Sequence, residues 1–477
     1  MRPLRTVLPV LALLAACSGP APESQAQGQT PLTSADLPQP TRVTPQSAGQ
    51  TRLSFAPVVK KAAPAVVNVY ARRIVRQIDP FFQMFGAGVP RERVEQSLGS
   101  GVIVRSDGII VTNNHVVEGG QDFVVVLSDR RELPAKVLLA DPRTDLAVLK
   151  IDVGAERLPT LALAEPSGQQ VGDLVLAIGD PFGVGQTVTN GIISALNRTP
   201  PEGSNGEGGT FIQTDAPINP GNSGGALVDM NGDLIGINTM IISKSGNSAG
   251  IGFAIPAPLV RRMIETAVGG AHELVRPWLG AKFDPVTSDI AKSLGLSRPD
   301  GALITDVWPG GPADRAGLKT GDVVVAVGGA DVVDPAGVNY QVATHRSGEA
   351  LAVAVLRHNH RQILNARIET PPATPARDER LITGRNPLSG AKVINLSPAT
   401  ADALGVDPFL RGVLVVGLTN QGYAPVAGFQ PGDLIRQVNG RAVESTRALQ
   451  ELLNVGVGAA WTVTIERGGR TITARFG

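Results

Sequence analysis

From residue 54 onward the chain alternates short apolar runs with Gly, Asn, Asp and Pro. "GSGVIVRSDGIIVTNNHVV", "DFVVVLSD", "ELPAKVLLAD" and "LAVLKID" form one closely spaced series. "DLVLAIGDP", "QTVTNGIISALNRT", "FIQTDAP", "GALVDMNGDLIGINTMII" and "IGFAIPA" form a second. Short apolar runs bounded by turn residues predict β-strands, and two successive groups of about six predict two packed barrels. Upstream, "LSFAPVVKKAAPAVVNVYARR" predicts a short helix and then a strand over 66–71. A helix from Pro258 to Val268 closes the unit.

The last two hundred or so residues repeat themselves. "GALITDVWPGGPADRAGLKTGDVVVAVGGADV" starts at Gly301 and "GVLVVGLTNQGYAPVAGFQPGDLIRQVNGRAV" at Gly412. Gly301 aligns with Gly412, Gly317 with Gly428, Gly321 with Gly432 and Asp322 with Asp433, all at one offset. Two copies of one small domain are expected, joined by the Pro- and charge-rich "TPPATPARDERLITGR".

The N-terminus follows a different rule. Two arginines precede an apolar run from Val7 to Ala16, too short to span a bilayer, which predicts a secretory signal over 1–16. Leu14-Ala15-Ala16-Cys17 resembles the bacterial lipobox, making Cys17 the expected lipidation site, and Ser18 after it leans towards outer-membrane sorting. Residues 17–53 are rich in Pro, Gln, Ser, Thr and Gly and read as a flexible tether. Cys17 is also the only cysteine, which excludes an internal disulfide and a cysteine-based metal site.

With 43 basic against 42 acidic residues, charge gives no reason to expect nucleic acid or an anionic membrane surface as partner. Few aromatics (4%), 56 Gly and 37 Pro suit a mainly β protein with many turns. At 477 residues about three domains are expected.

Candidate chemistry centres on "DAPINPGNSGGALV", where Ser223 stands among glycines. A nucleophilic serine needs a base beside it and a carboxylate behind the base. Of five histidines, His272 and His345 fall in a linker and near a loop. His358 and His360 flank Asn359 in a hairpin-like turn, which reads as an exposed turn rather than a metal site. His115 instead ends the strand "GIIVT", and Asp145 opens the otherwise apolar "TDLAVLK", where a buried carboxylate needs a donor. His115 and Asp145 then lie in the first barrel and Ser223 in the second, with the site in the cleft between them. "GDPFGVGQ" lacks a following helix and Lys and reads as a turn, not a phosphate cradle.

"TNNHVV", "TDLAVLK" and "GNSGGAL", in this order, resemble the three triad motifs of chymotrypsin-like serine proteases of the HtrA/Deg family, and the C-terminal repeats resemble that family's PDZ domains. The resemblance covers roughly 54–477. It implies a chymotrypsin-like double β-barrel protease domain over 54–270, a PDZ domain over 275–369, a linker over 370–386 and a second PDZ domain over 387–477. It also implies a catalytic triad of His115, Asp145 and Ser223, and an oxyanion hole from the backbone of Gly221 and Ser223 with Asn222. Pro217 stands where a trypsin-like pocket would carry an acid, and Ile241 aligns with an apolar pocket-lining position, so cleavage after small aliphatic residues such as Val or Ala is expected. The carboxylate-capturing loops would be Trp278, Leu279, Gly280 and Ala281 in the first PDZ copy and Leu388, Ser389, Gly390 and Ala391 in the second, where Ser389 departs from the pattern. "NRTPPEGSNGEGGTF" and "ISKSGNSAG" correspond to activation and pocket loops.

The function implied is ATP-independent degradation of misfolded proteins in the periplasm, without cofactor, by an enzyme anchored to the membrane only through lipid. Partners would be unfolded polypeptides, peptide C-termini at the PDZ domains, and copies of the chain in a homotrimer or larger cage, with Leu53, Phe55, Phe81, Phe82 and Phe85 as its apolar surface. A regulated processing protease with one substrate and a PDZ-driven chaperone or scaffold are the alternatives.

Overall fold

The computed structural model describes residues 54–77, 91–165, 168–180, 185–199, 210–219, 221–241, 250–296, 298–420, 422–455 and 460–477, with side chains except at 73–77, 91–96, 240, 241 and 455. Cys17, Leu53, Phe81, Phe82, Phe85, the signal and most of the tether lie outside the described residues, as do most of the two loops assigned to activation and the pocket.

The first strand series closes into a barrel. Its strands are β1 (Val66–Gln77), β2 (Arg91–Arg105), β3 (Ile109–Asn113), β4 (Asp122–Val126), β5 (Glu132–Asp141) and β6 (Leu146–Ile151), in the order β1-β2-β3-β6-β5-β4. The second series closes into another, from β7 (Leu174–Gly179), β8 (Thr187–Arg198), β9 (Phe211–Thr214), β10 (Ala226–Val228), β11 (Leu234–Ile241) and β12 (Gly252–Pro256), in the order β10-β11-β12-β9-β8-β7. Closure gives every strand two neighbours within the barrel, while the far part of the β1–β2 hairpin pairs on one side alone. Strands β3, β10 and β12 are buried at every residue, which explains why they read as continuous apolar runs rather than alternations.

The closing helix runs Ala257–Val268 and buries Leu259, Val260 and Met263. Phe55 is half-buried against the same core, not presented as a free apolar face. Among the described residues no helix is long and apolar enough to cross a membrane.

The two repeats form separate sheets. In the first, Ala281–Pro285, Ala302–Val307, Val323–Val327, Ala350–Arg357 and His360–Arg367 lie in that order. In the second, Ala391–Leu396, Gly412–Leu418, Leu434–Val438, Trp461–Arg467 and Arg470–Phe476 repeat it, and Arg380–Leu381 is added at the outer edge. Two residues of the segment read as a linker, Arg380 and Leu381, are therefore part of the second sheet.

The aligned aspartates have the same task in both copies. Buried Asp322 accepts both Nε and Nη2 of Arg357 at 2.7 Å and the Lys319 N–H, while the same Nη2 reaches the Gly317 carbonyl. Buried Asp433 accepts Nε and Nη2 of Arg467 at 2.5 and 2.7 Å and the Gln430 N–H, and that Nη2 reaches the Gly428 carbonyl. Burying a carboxylate requires this degree of pairing.

Candidate active site

Strand register assembles the first half of the site. Antiparallel pairing of β3 with β6 sets Asn113 opposite Leu146. That brings His115, two residues past β3 on the short helix Asn114–Val117, against Asp145, one residue before β6. The His115 Nδ1 lies 2.9 Å from both Asp145 carboxylate oxygens, and the His115 N–H donates to Oδ1 at 3.0 Å. The Asp145 carbonyl accepts from Asn114 N–H and Asn113 Nδ2, and its φ of 53° places it in the left-handed region.

The turn before Asp145 is held as well. Asp141 Oδ2 accepts the Thr144 N–H and hydroxyl, and Arg276, on the way into the first repeat, donates to the same oxygen at 2.5 Å. Asp145 is 4% exposed, whereas the His115 ring opens to solvent.

The second half comes from β11. Its pairing with β12 slips between Asn238 and Met240, so Thr239 sits in a bulge. Bulges re-aim side chains. Thr239 Oγ1 donates to Asp145 Oδ2 at 2.5 Å, and its carbonyl accepts the Ser223 hydroxyl at 3.0 Å. One residue thus ties the carboxylate of the first barrel to the serine of the second. Sequence patterning did not single out Thr239, because "GINTMII" reads as an uninterrupted strand.

Among the described residues, the Ser223 hydroxyl makes this one hydrogen bond and none to His115. The N–H groups of Gly221 and Ser223 donate to no described acceptor, so both are free to meet an oxyanion. Asn222 does not join them: its N–H donates to the Asn219 carbonyl at 3.0 Å, and its side chain is buried. The tight turn that shapes the loop uses that donor. Gly221 has φ 99°, a conformation L side chains rarely adopt. Pro217 is exposed, and the Ile241 side chain lies outside the described residues.

In the first repeat, strand Ala281–Pro285 pairs only with Ala302–Val307 and leaves its other edge open. Beside it lies a groove of about 420 Å³ lined in part by Leu279, Ala281, Phe283, Tyr340 and Val342. Among the described residues the N–H groups of Leu279 and Gly280 are without acceptors, while their carbonyls accept from Ala313 and Trp308. At the groove's rim Lys282 reaches Asp407 of the second repeat at 2.6 Å, and Phe409 packs against Trp278 and Trp308.

The corresponding loop of the second repeat is closed, contrary to expectation. The Leu388 and Ser389 N–H groups donate to the Asn386 side chain and carbonyl, Gly390 N–H to Ile382, and Ala391 N–H to Leu388. The adjoining edge is already paired, Arg380 opposite Val393 and Leu381 opposite Lys392. Ile382 is fully buried in one cluster with Leu388, Leu449 and Leu453. No N–H is left for a carboxylate, because the chain's own upstream segment occupies the strand position.

Comparison with known proteins follows this layout. A family described as "Trypsin-like peptidase domain" matches residues 99–237, and one described as "PDZ domain" matches 277–368. A "Probable periplasmic serine endoprotease DegP-like" of Pseudomonas putida (strain W619) is 37% identical over 430 residues, 83% of this chain and 87% of its own length. The protein of the same name from Halomonas elongata is 39% identical over 449 residues, 86% of this chain and 90% of its own. A solved structure, "HtrA-type protease AlgW with tripeptide", superposes with TM-score 0.51 at 44% identity, covering 67% of this chain and 98% of that one.

Proposed function

The chain belongs to the DegP-like, HtrA-type serine endoproteases, and on that premise we propose that Ser223, His115 and Asp145 are its catalytic triad, acting on unfolded polypeptides in the periplasm. The observation that supports the triad is that His115 pairs with buried Asp145 while Thr239 joins Asp145, through its hydroxyl, to the Ser223 hydroxyl, through its carbonyl.

In the reaction Ser223 Oγ exchanges its bond to the Thr239 carbonyl for one to His115 Nε2. It attacks the peptide carbonyl while His115 takes its proton, and the carbonyl oxygen becomes an oxyanion facing the N–H groups of Gly221 and Ser223. His115 then returns the proton to the leaving amine. Water releases the acyl group by the same steps in reverse. Asp145, held by Thr239 and by its own backbone contacts, keeps His115 Nδ1 protonated and the ring oriented.

The first repeat captures peptide C-termini by strand addition along Ala281–Pro285, with the free N–H groups of Leu279 and Gly280 on the carboxylate. Without an acid at Pro217, cleavage falls after Val, Ala and similar residues; faster cleavage after Lys or Arg in a peptide library overturns this. The chain is exported, lipidated at Cys17 and assembled as a homotrimer or larger cage, which light scattering on the purified full chain tests.

The deciding experiment is degradation of unfolded casein without ATP by the full chain beside Ser223→Ala. Degradation by the wild type alone is expected, and equal degradation by both removes Ser223 from the mechanism.

A further inference from the structure

Ser100, in β2, is fully buried and holds the nucleophile loop at two points. Its N–H donates to the Ser223 carbonyl at 2.8 Å. Its hydroxyl donates to the Gly221 carbonyl at 2.6 Å and accepts the Asp180 N–H at 2.8 Å. A serine hydroxyl has one proton to give and lone pairs to receive, so the donor goes to Gly221 and the acceptor role to Asp180. The Ser100 carbonyl in turn accepts the Thr112 hydroxyl at 2.7 Å.

Peptide planarity turns these contacts into a statement about the N–H groups. The Gly221 carbonyl fixes the plane of the peptide joining residues 221 and 222. The Ser223 carbonyl fixes the plane joining 223 and 224. Between these two anchored planes stands the peptide joining 222 and 223, whose N–H is that of Ser223.

The glycines around the serine fit the same contact. A Cβ on Gly224 would lie 2.1 Å from the Ser100 carbonyl oxygen, and one on Gly99 would lie 3.1 Å from the Ser223 carbonyl oxygen. Gly224 must be bare for the barrels to approach this closely, whereas a Cβ on Gly99 would first meet Val116 of its own barrel, at 2.6 Å.

We propose that Ser100 is a positioning residue for the oxyanion hole: through the Gly221 and Ser223 carbonyls it holds the Ser223 N–H towards the oxygen that gains charge in the transition state. This rests on Ser223 being the nucleophile. Removing a donor from such a hole costs ~10²–10³ in turnover, and loosening its support should cost less, about tenfold.

The test compares the full chain, Ser100→Ala, Ser100→Cys and Ser223→Ala on a fluorogenic peptide, and measures inhibition by a peptidyl boronic acid, whose tetrahedral adduct sets an oxygen in the hole. Ser100→Ala should lower kcat and boronate affinity about tenfold each with KM within about twofold, because the interaction is made in the transition state. Ser100→Cys, which keeps a donor but a weaker and bulkier one and so guards against a simple folding defect, should fall between. Unchanged kcat and boronate affinity in both variants overturn the proposal, as does a loss confined to KM. Activity retained in Ser223→Ala instead overturns the assignment of the nucleophile, whatever the Ser100 variants do.

Discussion

The two C-terminal copies share a scaffold and differ in whether it is open. Asp322–Arg357 and Asp433–Arg467 make matching paired contacts, and the five common strands lie in one order. Yet among the described residues the first copy presents an unpaired edge and two free N–H groups, whereas the second has that edge filled by Arg380–Leu381 and its loop bonded internally. A domain of this kind takes its ligand as an added strand. Whether it can do so is decided by the chain just upstream of the loop, not by the sheet.

The shared part predicts the largest and most symmetrical effects. Asp322→Ala and Asp433→Ala each leave an arginine without its carboxylate and should cost about 3 kcal/mol, in the affected copy alone. Hydrogen exchange resolved along the chain would show this, and a markedly unequal cost would mean that the scaffolds are not equivalent.

Ile382→Ala should follow at about 2–3 kcal/mol, the lower part of the range for truncating a buried aliphatic side chain, because its short edge segment can relax around the gap. Loss of that anchor weakens the resident strand. Calorimetry with a peptide bearing a free C-terminus should then show a second, weaker binding event beyond the single one per chain expected of the wild type. Two events in the wild type would break the comparison outright.

Gly280→Val acts on the open copy. Gly280 has φ 77°, and an added Cβ would lie 3.3 Å from Pro312 and 3.4 Å from the Trp278 ring. Peptide affinity should fall about 10- to 100-fold, the worth of one hydrogen bond to a charged group. Amidating the peptide terminus should cause a similar loss in the wild type, read by fluorescence anisotropy.

Lys282→Ala is expected to have the smallest effect. Its ion pair with Asp407 is substantially exposed, so breaking it should change stability by less than about 1 kcal/mol. Asp407 raises the Lys282 pKa, chiefly by hydrogen bonding. Freed of that contact, the groove should bind peptide at most a few-fold more tightly, with the difference shrinking as salt rises.

Much of this was legible beforehand because it is local. Apolar runs marked the barrel strands, "TNNHVV", "TDLAVLK" and "GNSGGAL" marked the residues that the fold brings together in the candidate site, and a constant offset marked the repeat. What stayed hidden depends on partners far along the chain. "GINTMII" does not disclose the bulge that turns Thr239 towards Asp145, and "GSG" does not disclose that Ser100 reaches the loop of the other barrel. The hydrophilic stretch before the second copy reads as a linker because three of its residues, Arg380, Leu381 and Ile382, are too few to carry a strand pattern of their own.

The sequence by itself therefore determined the strand content, the order of the units and the chemical types available at the site, since burial period, turn residues and reactive side chains are written locally. Only the tertiary structure decided which N–H groups are free, which edge is open and which residue of one barrel steadies the loop of the other. A hydrogen bond engages one partner at about 3 Å, and which partner stands there is settled only when distant segments are packed together.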